Sequence, residues 1–401
     1  MRRIDVAERR ARIGVRHRLA VAARSDDPVE VARDLVALHS TDPSSVYVAI
    51  WARMNAGSVR EVERLLYEDR SLIRLLGMRR TVFVTSLDVA PVMQAACSHA
   101  VAARERRKLL GFLAASGVAD DEAGVREWLA ETEDIAVRAL AARGESTAAE
   151  LAGDDARLRT EVVLSAGKSY EGRQKVASRL LLLLAAEGRV VRGRPRGSWT
   201  SHQYRWAPLT DWFPGGLAPW DTHRAEEELA RRWLRTFGPA TADDLRWWAG
   251  WTKTQVKRVL TELKPVEVDL GGGTTGLLLP DDLAPTPPPE PWAALLPGLD
   301  STPMGWQERG WFLGDHGPRL FDGVGNIGPS LWWDGRIVGG WAQDGSGEIV
   351  CRFLEDVGAD AEAAVRREAE RLAVPLGAVR LSPRTRGRTW LEAELAVNQP
   401  L

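Results

Sequence analysis

At 401 residues the chain is too long for one ordinary hydrophobic core, so two or more domains are expected. Its 44% hydrophobic and 27% charged residues are the proportions of a soluble globular protein. The formal net charge of −1 argues neither for nor against a nucleic-acid partner, so the local distribution of charge has to decide.

Residues 1–24 read as a basic helix in which Arg2, Arg3, Arg9, Arg10, Arg12, Arg16, Arg18 and Arg24 outnumber Asp5 and Glu8. Such a segment either tracks phosphates or forms a solvated helix face. Over residues 28–85, three short helical patterns precede the strand-like run Arg79-Arg80-Thr81-Val82-Phe83-Val84, which is the plan of a winged helix. Within it, Val31, Leu35 and Leu38 form one apolar stripe, and Val46, Tyr47, Ile50, Trp51 and Met54 form another. Pro43 suits the first turn of the second helix, where its missing N–H costs nothing, and it drives Asp42 into the extended conformation of an N-cap. His39 and Thr41 then share one face of the corner, beside a helix N-terminus that favours anions. Read from the residues alone, this corner is either a polar turn with a capping Asp or a functional site.

From Leu87 to Arg143 the pattern is helical, with breaks at Gly111, Gly117 and Gly124. An internal repeat follows. Thr147-Ala-Ala-Glu150-Leu151 and Thr241-Ala-Asp-Asp244-Leu245 each begin as a capping box. Each leads to a second helical run (Gly172–Leu184, Thr252–Leu260) and then to a strand pair, the first turned by Gly193-Arg-Pro-Arg-Gly197 and the second by Gly271-Gly-Gly273. Both copies read as helix–turn–helix–wing units. The run from Pro280 to Pro291 is the strongest boundary. Beyond it, short strand-like pieces at Ala294–Leu296, Trp311–Leu313, Ser330–Trp333, Arg336–Trp341, Ile349–Phe353 and Trp390–Ala396 surround one helix, roughly Ala359 to Ala373. Asp334-Gly335 is a favoured hairpin turn, and the whole suggests a small barrel. Of 17 tryptophans only Trp51 and Trp128 precede position 199. They are expected mainly to fill the second half, with one or two free to stack on bases.

Cys97 and Cys351 form no metal spacing, the N-terminal stretch lacks the apolar core of a signal peptide, and the longest apolar run, Leu180 to Ala186, is too short to span a membrane. A cytoplasmic protein without metal, cofactor or membrane partner is expected; association with the nucleoid would follow only from the resemblance described next. Gly323-Val-Gly325-Asn-Ile-Gly328 spells a dinucleotide fingerprint without its βαβ context and carries no weight.

The run Leu38-His-Ser-Thr-Asp-Pro43 with Tyr47, Trp51 and Arg53 resembles the Leu-Gln-x-Gln-Asp-Pro-x-x-x-Tyr-x-x-x-Trp-x-Arg signature of the winged-helix superfamily that contains the AlkZ/YcaQ-type DNA glycosylases. Leu296–Asp300, Met304–Arg309 and Trp333–Trp341 resemble its C-terminal β-barrel. The resemblance implies an α+β multidomain fold: a basic helix and first winged helix (1–86), a helical connector (87–145), a second (146–212) and third winged helix (213–280), and a β-barrel with one helix (292–401). It implies excision of bulky or crosslinked alkylated purines from double-stranded DNA by a monomer. The family's catalytic Gln-x-Gln becomes His39-Ser40-Thr41 here, so activity is the departure to test.

In that setting His39, with an ordinary pKa of about 6.5, is a candidate general base or water ligand. The competing roles are a DNA contact without catalysis and a structural histidine. Thr41 is a candidate to orient water, and Asp42 to support the imidazole unless it caps the helix. Loss of rate on acidification between roughly pH 5 and 8 is expected of a base with this pKa. Phosphate contacts are expected from Arg53, Arg79 and Arg80 beside the site, from Arg192, Arg194 and Arg196 with Trp199 in the second wing, and from Arg384, Arg386 and Arg388 in the barrel. Trp306 and Arg309 match the superfamily pattern. A non-catalytic DNA-binding protein, either a regulator or a lesion-recognition factor, and a scaffold repurposed for protein contacts are the alternatives.

Overall fold

The computed structural model describes residues 1–164, 167, 171–381 and 388–396. Three three-stranded sheets set the plan of the chain up to the proline-rich linker, and Glu161–Leu164 pairs with Gly172–Lys175 in a separate two-stranded ribbon, so the helical run expected from Gly172 begins only at Val176. In the first, Leu38–His39 pairs antiparallel with Val82–Ser86, which also pairs with Leu72–Leu76. In the second, Ser146–Thr147 pairs with Tyr204–Pro208, itself paired with Val190–Pro195. In the third, Val266–Asp269 and Thr275–Leu278 form a hairpin, and Ala240 bridges to Leu277. The two repeated Thr-Ala-x-acid-Leu segments are thus alike in space as well. Each makes a short edge pairing and then enters a helix, Ala148–Asp154 or Ala242–Ala249, through a reciprocal capping box to Glu150 or Asp244. A second helix follows in each, Val176–Ala186 and Lys253–Leu263.

Helices Pro28–Asp34, Pro43–Trp51 and Val59–Tyr67 accompany the first sheet. Pro43 opens its helix, and Asp42 caps it in an extended conformation by accepting the Ser44 N–H at 2.9 Å. In the connector, Gly111 and Gly124 lie inside helices His99–Ala115 and Glu122–Arg143, and the chain breaks only around Gly117. An isolated glycine in a helix is a modest cost, not a stop.

The N-terminal segment departs from both readings of its arginines. Arg2–Arg3 adds a parallel strand to the Val266–Asp269 hairpin, and helix Val6–Arg16 turns its cations inward. Arg12 and Arg16 pair with Asp282 in the linker, at 3.2 and 2.6 Å, and Arg9 stacks on Trp311. These charges join parts of the protein, so they are neither a solvated face nor a phosphate track.

After the linker, Ala293–Leu296, Ser330–Trp333, Arg336–Gln343 and Ile349–Phe353 form an antiparallel four-stranded sheet in chain order. Asp334 and Gly335 make its tight turn with positive φ. The expected barrel is not found: among the described residues the sheet is open. Trp311–Leu313 and Trp390–Ala396, expected as strands, are helical. Four- to seven-residue apolar runs do not distinguish the two states by periodicity. Helix Ala359–Leu376 packs on the sheet. One apolar core runs through the first and third units and the C-terminal segment, and a second fills the connector and the middle unit. Among the described residues no helix is long and apolar enough to cross a membrane.

Candidate functional site

The strand pairing that begins at Leu38 continues through Ser40, whose N–H donates to the Val82 carbonyl at 2.8 Å. It sets His39 opposite Phe83, with the rings edge-on at 5.4 Å. The Thr41 N–H points at His39 Nδ1, 3.4 Å away. With Nδ1 as the acceptor, the neutral ring carries its proton on Nε2, an assignment that rests on this hydrogen bond. The ring is 7% exposed. Burial, reinforced by the nearby Arg79 charge, pushes its pKa down to about 3, so it is neutral at physiological pH. Underneath, the Ser40 hydroxyl accepts from Arg74 Nε at 3.1 Å, and Arg74 also bonds the Tyr67 hydroxyl. The middle residue of the motif is thereby tied to the sheet.

His39 lines a cleft of about 390 Å³ together with Arg79, Thr81, Trp247, Gln307, Arg309 and Asn326. Arg79 and Arg80 form the tight turn before strand Val82–Ser86, and both hold positive φ, uncommon for side-chain-bearing residues. Arg79 lies over the Trp247 ring at 4.0 Å, and Arg309 lies over the same ring at 4.7 Å. Gly250 ends helix Ala242–Ala249 in the left-handed conformation, and a β-carbon there would come within 3.0 Å of Arg79 Cγ. Arg79 therefore packs against a helix C-terminus, where the backbone dipole favours a cation. No carboxylate lines the cleft among the described residues. Burial lowers the pKa of Arg79 to about 10; burial and repulsion from Arg79 do the same to Arg309, against the attraction of Asp244. Both remain charged.

The other expected site residues that are described do not line this cleft. Thr41 is exposed, and Asp42 is occupied by Ser44, whose N–H and hydroxyl both donate to Oδ1. Arg53 does not face a ligand: it is 0% exposed and fully bonded to Asp300, Thr302 and two backbone carbonyls. Arg80 is exposed but paired with Glu105 at 2.8 Å. In strand Val190–Pro195 and the turn after it, Arg192 packs over Tyr204 and Trp206, Arg194 pairs with Glu63 and Glu68, and Arg196 is exposed. Trp199 is buried against Tyr47 and Trp51, so it presents no face to a base. Trp306 is likewise buried, with its indole N–H donated to the Phe237 carbonyl. Arg388 lines a separate groove beside Asp42, while Arg384 and Arg386 lie outside the described residues.

Trp247, Gln307 and Asn326 escaped the sequence reading. Trp247 left a signal. Neighbouring residues on a helix point about 100° apart, so of the pair Trp247-Trp248 only one can face the core. Trp248 does, and Trp247 is left half-buried in the cleft.

No curated protein sequence matches the chain. Among solved structures, the Streptomyces sahachiroi DNA glycosylase AlkZ shares the fold with a TM-score of 0.71, at 21% identity over 95% of this chain and 99% of that one. The sequence profile of the family described as DNA glycosylase AlkZ-like matches residues 32–374. That span takes in the His39 corner, the arginine turn and Trp247, and the chain belongs to the AlkZ-like DNA glycosylase family.

Proposed function

We propose that the protein is a monofunctional glycosylase that binds duplex DNA through three winged-helix units, acts as a monomer, and hydrolyses the N-glycosidic bond of alkylated purines. One observation carries the reading: His39, which the resemblance sets at the family's first catalytic glutamine, lines a cleft with two arginines that have no ion-pair partner among the described residues. An alkylated purine is already cationic, so its glycosidic bond is weak and the protein has mainly to place a water at C1′. The bond's electron pair passes to the base nitrogen and cancels its charge, the water oxygen bonds to C1′, and a proton is released. With a pKa near 3, His39 is a poor acceptor of that proton at neutral pH. In our reading it positions the water or the departing base as a neutral imidazole that donates from Nε2, much as an amide N–H would. Thr41 is the companion hydroxyl at the mouth of the corner, and Asp42 serves as the helix cap.

The weak basicity of His39 also favours a second reading, a lesion-recognition protein without catalysis. Incubating the protein with a duplex carrying N7-alkylguanine, followed by alkaline cleavage at abasic sites, separates the two. The glycosylase reading expects nicks, a rate lowered about 10²-fold in His39→Ala, and substantial retention in His39→Gln, which keeps a donor. DNA binding without nicks establishes the second reading.

A further inference from the structure

Arg79 makes no hydrogen bond or ion pair among the described residues, and its Nε is buried without a partner. It does so in a strained backbone conformation, φ 52° and ψ 27°, at the cleft wall. Arg309 spends its Nε on the Trp306 carbonyl at 2.9 Å and has no carboxylate partner among the described residues. Arg12 and Arg16 are matched to Asp282 and Arg53 to Asp300, whereas Arg9 and Arg192, like Arg79, lie over aromatic rings with no ion pair among the described residues; what Arg79 and Arg309 have in addition is one shared ring and one shared cleft. Placing two like charges together on a carboxylate-free wall is unfavourable unless an anion completes them. Both guanidinium groups lie over the one indole, which puts their carbons at most about 9 Å apart, and both line the same cleft, so a phosphate seated in it lies beside both donors.

We infer that Arg79 and Arg309 together form a clamp for a single phosphodiester, the one beside the nucleotide presented to His39, with Trp247 as the ring that both guanidinium groups lie over. The inference rests on the reading that DNA enters this cleft. It adds that the anion belongs to the site: until it is in place, two cations with no ion pair among the described residues oppose a cationic base or sugar in front of His39. With the phosphate seated, part of that repulsion is cancelled, so the substrate's own backbone makes the cleft tolerant of the charge it must hold. Arg80, one residue along, is excluded from this role by its pairing with Glu105.

The test measures binding to intact duplex at several salt concentrations for wild type, Arg79→Gln, Arg309→Gln and the double variant. Because either arginine alone can still neutralise a shared phosphate, each single substitution should weaken binding but change the slope of log K against log salt little. The double should lower the slope by about 0.9, the equivalent of one phosphate. A loss of about 1.8 in the double would mean two separate contacts, and an unchanged slope would mean none; either overturns the clamp. A scan with neutral methylphosphonate linkages needs no variant to fold. One linkage, adjacent to the modified nucleotide, should reduce wild-type affinity about tenfold, and that same linkage should matter no further in the double variant. No dominant linkage, or one far from the lesion, refutes it. Since these measurements use uncleaved DNA, absence of excision with the slope effect intact would sink the glycosylase reading and leave the clamp standing.

Discussion

Replacing Arg53 by methionine should be the most damaging single change to the architecture of the cleft. All five guanidinium N–H groups of Arg53 have acceptors. Nε donates to the His17 carbonyl at 3.0 Å, Nη1 to Ala49 and Asp300 Oδ2 at 2.7 and 2.9 Å, and Nη2 to Asp300 Oδ1 and Thr302 Oγ1 at 2.7 and 2.9 Å. Both members of the ion pair are 0% exposed. Methionine fills much of the same volume but leaves the Asp300 carboxylate buried with, among the described residues, only the Thr302 N–H to receive. Removing one partner from a buried pair costs about 3–5 kcal/mol, against about 0–1 kcal/mol for an exposed one. The loop that carries Asp300 also supplies Leu299, Met304 and Arg309 to the cleft, so the damage should reach the site. Urea unfolding followed by far-UV circular dichroism gives the cost in the first transition, and excision at low temperature gives the functional effect. Arg53→Lys, with three donors for five acceptors, should fall between. Removing both charges, as Arg53→Met with Asp300→Leu, should recover most of the loss. A cost for Arg53→Met below about 1 kcal/mol, or a double variant worse than either single, would refute the reasoning.

The remaining expectations concern titration and the supports of the motif. His17 and His39 both have pKa values pushed down to about 3, chiefly by burial. Unfolding restores a value near 6.5, so the unfolded chain binds more protons between those limits and stability falls as pH drops from about 6.5 toward 3. His39→Gln should flatten that acid limb, and unchanged acid sensitivity in both His39→Gln and His17→Gln would contradict the assignment. By the same shift, excision should be level between pH 5 and 8. A rate halving near pH 6.5 would restore the general-base role suggested by an unperturbed imidazole. Ser40→Ala leaves Arg74 Nε without its acceptor in the interior and should cost about 1–3 kcal/mol with a parallel fall in excision; a neutral result detaches Arg74 from the motif. Gly250→Ala should cost about 1–2 kcal/mol for its left-handed backbone and weaken DNA binding by displacing Arg79. Stability loss with DNA affinity intact would show that Arg79 is not held there.

Local chemistry made much of the scaffold readable. Pro43 and Asp42, the two Thr-initiated capping boxes and the Asp334-Gly335 turn each act within a few residues, and each appears as expected. Partners distant in the chain were not readable. Arg53 and Arg79 are both arginines near the motif, yet one meets Asp300 in the interior and the other a tryptophan in the cleft. Nothing within ten residues of either tells them apart. Trp199 stands out because it sits among arginines and glycines, and Trp306 because it matches the superfamily pattern, but tertiary packing buries both. The histidine was legible as a site candidate through its place in the motif. Its basicity was not, because that depends on burial and on the charge of Arg79.

The N-terminal helix that reaches back to Asp282 spans 266 residues of chain between Arg16 and its acceptor. A ribosome therefore delivers the opening segment long before the surface it docks on exists, and the strand Arg2–Arg3 must wait for a hairpin made near the end of the third unit. Closure of so distant a contact slows folding relative to the local helices. Trimming those first residues should accordingly expose the seam of the third unit and spare the first, so proteolytic nicking there would report on the far half of the molecule.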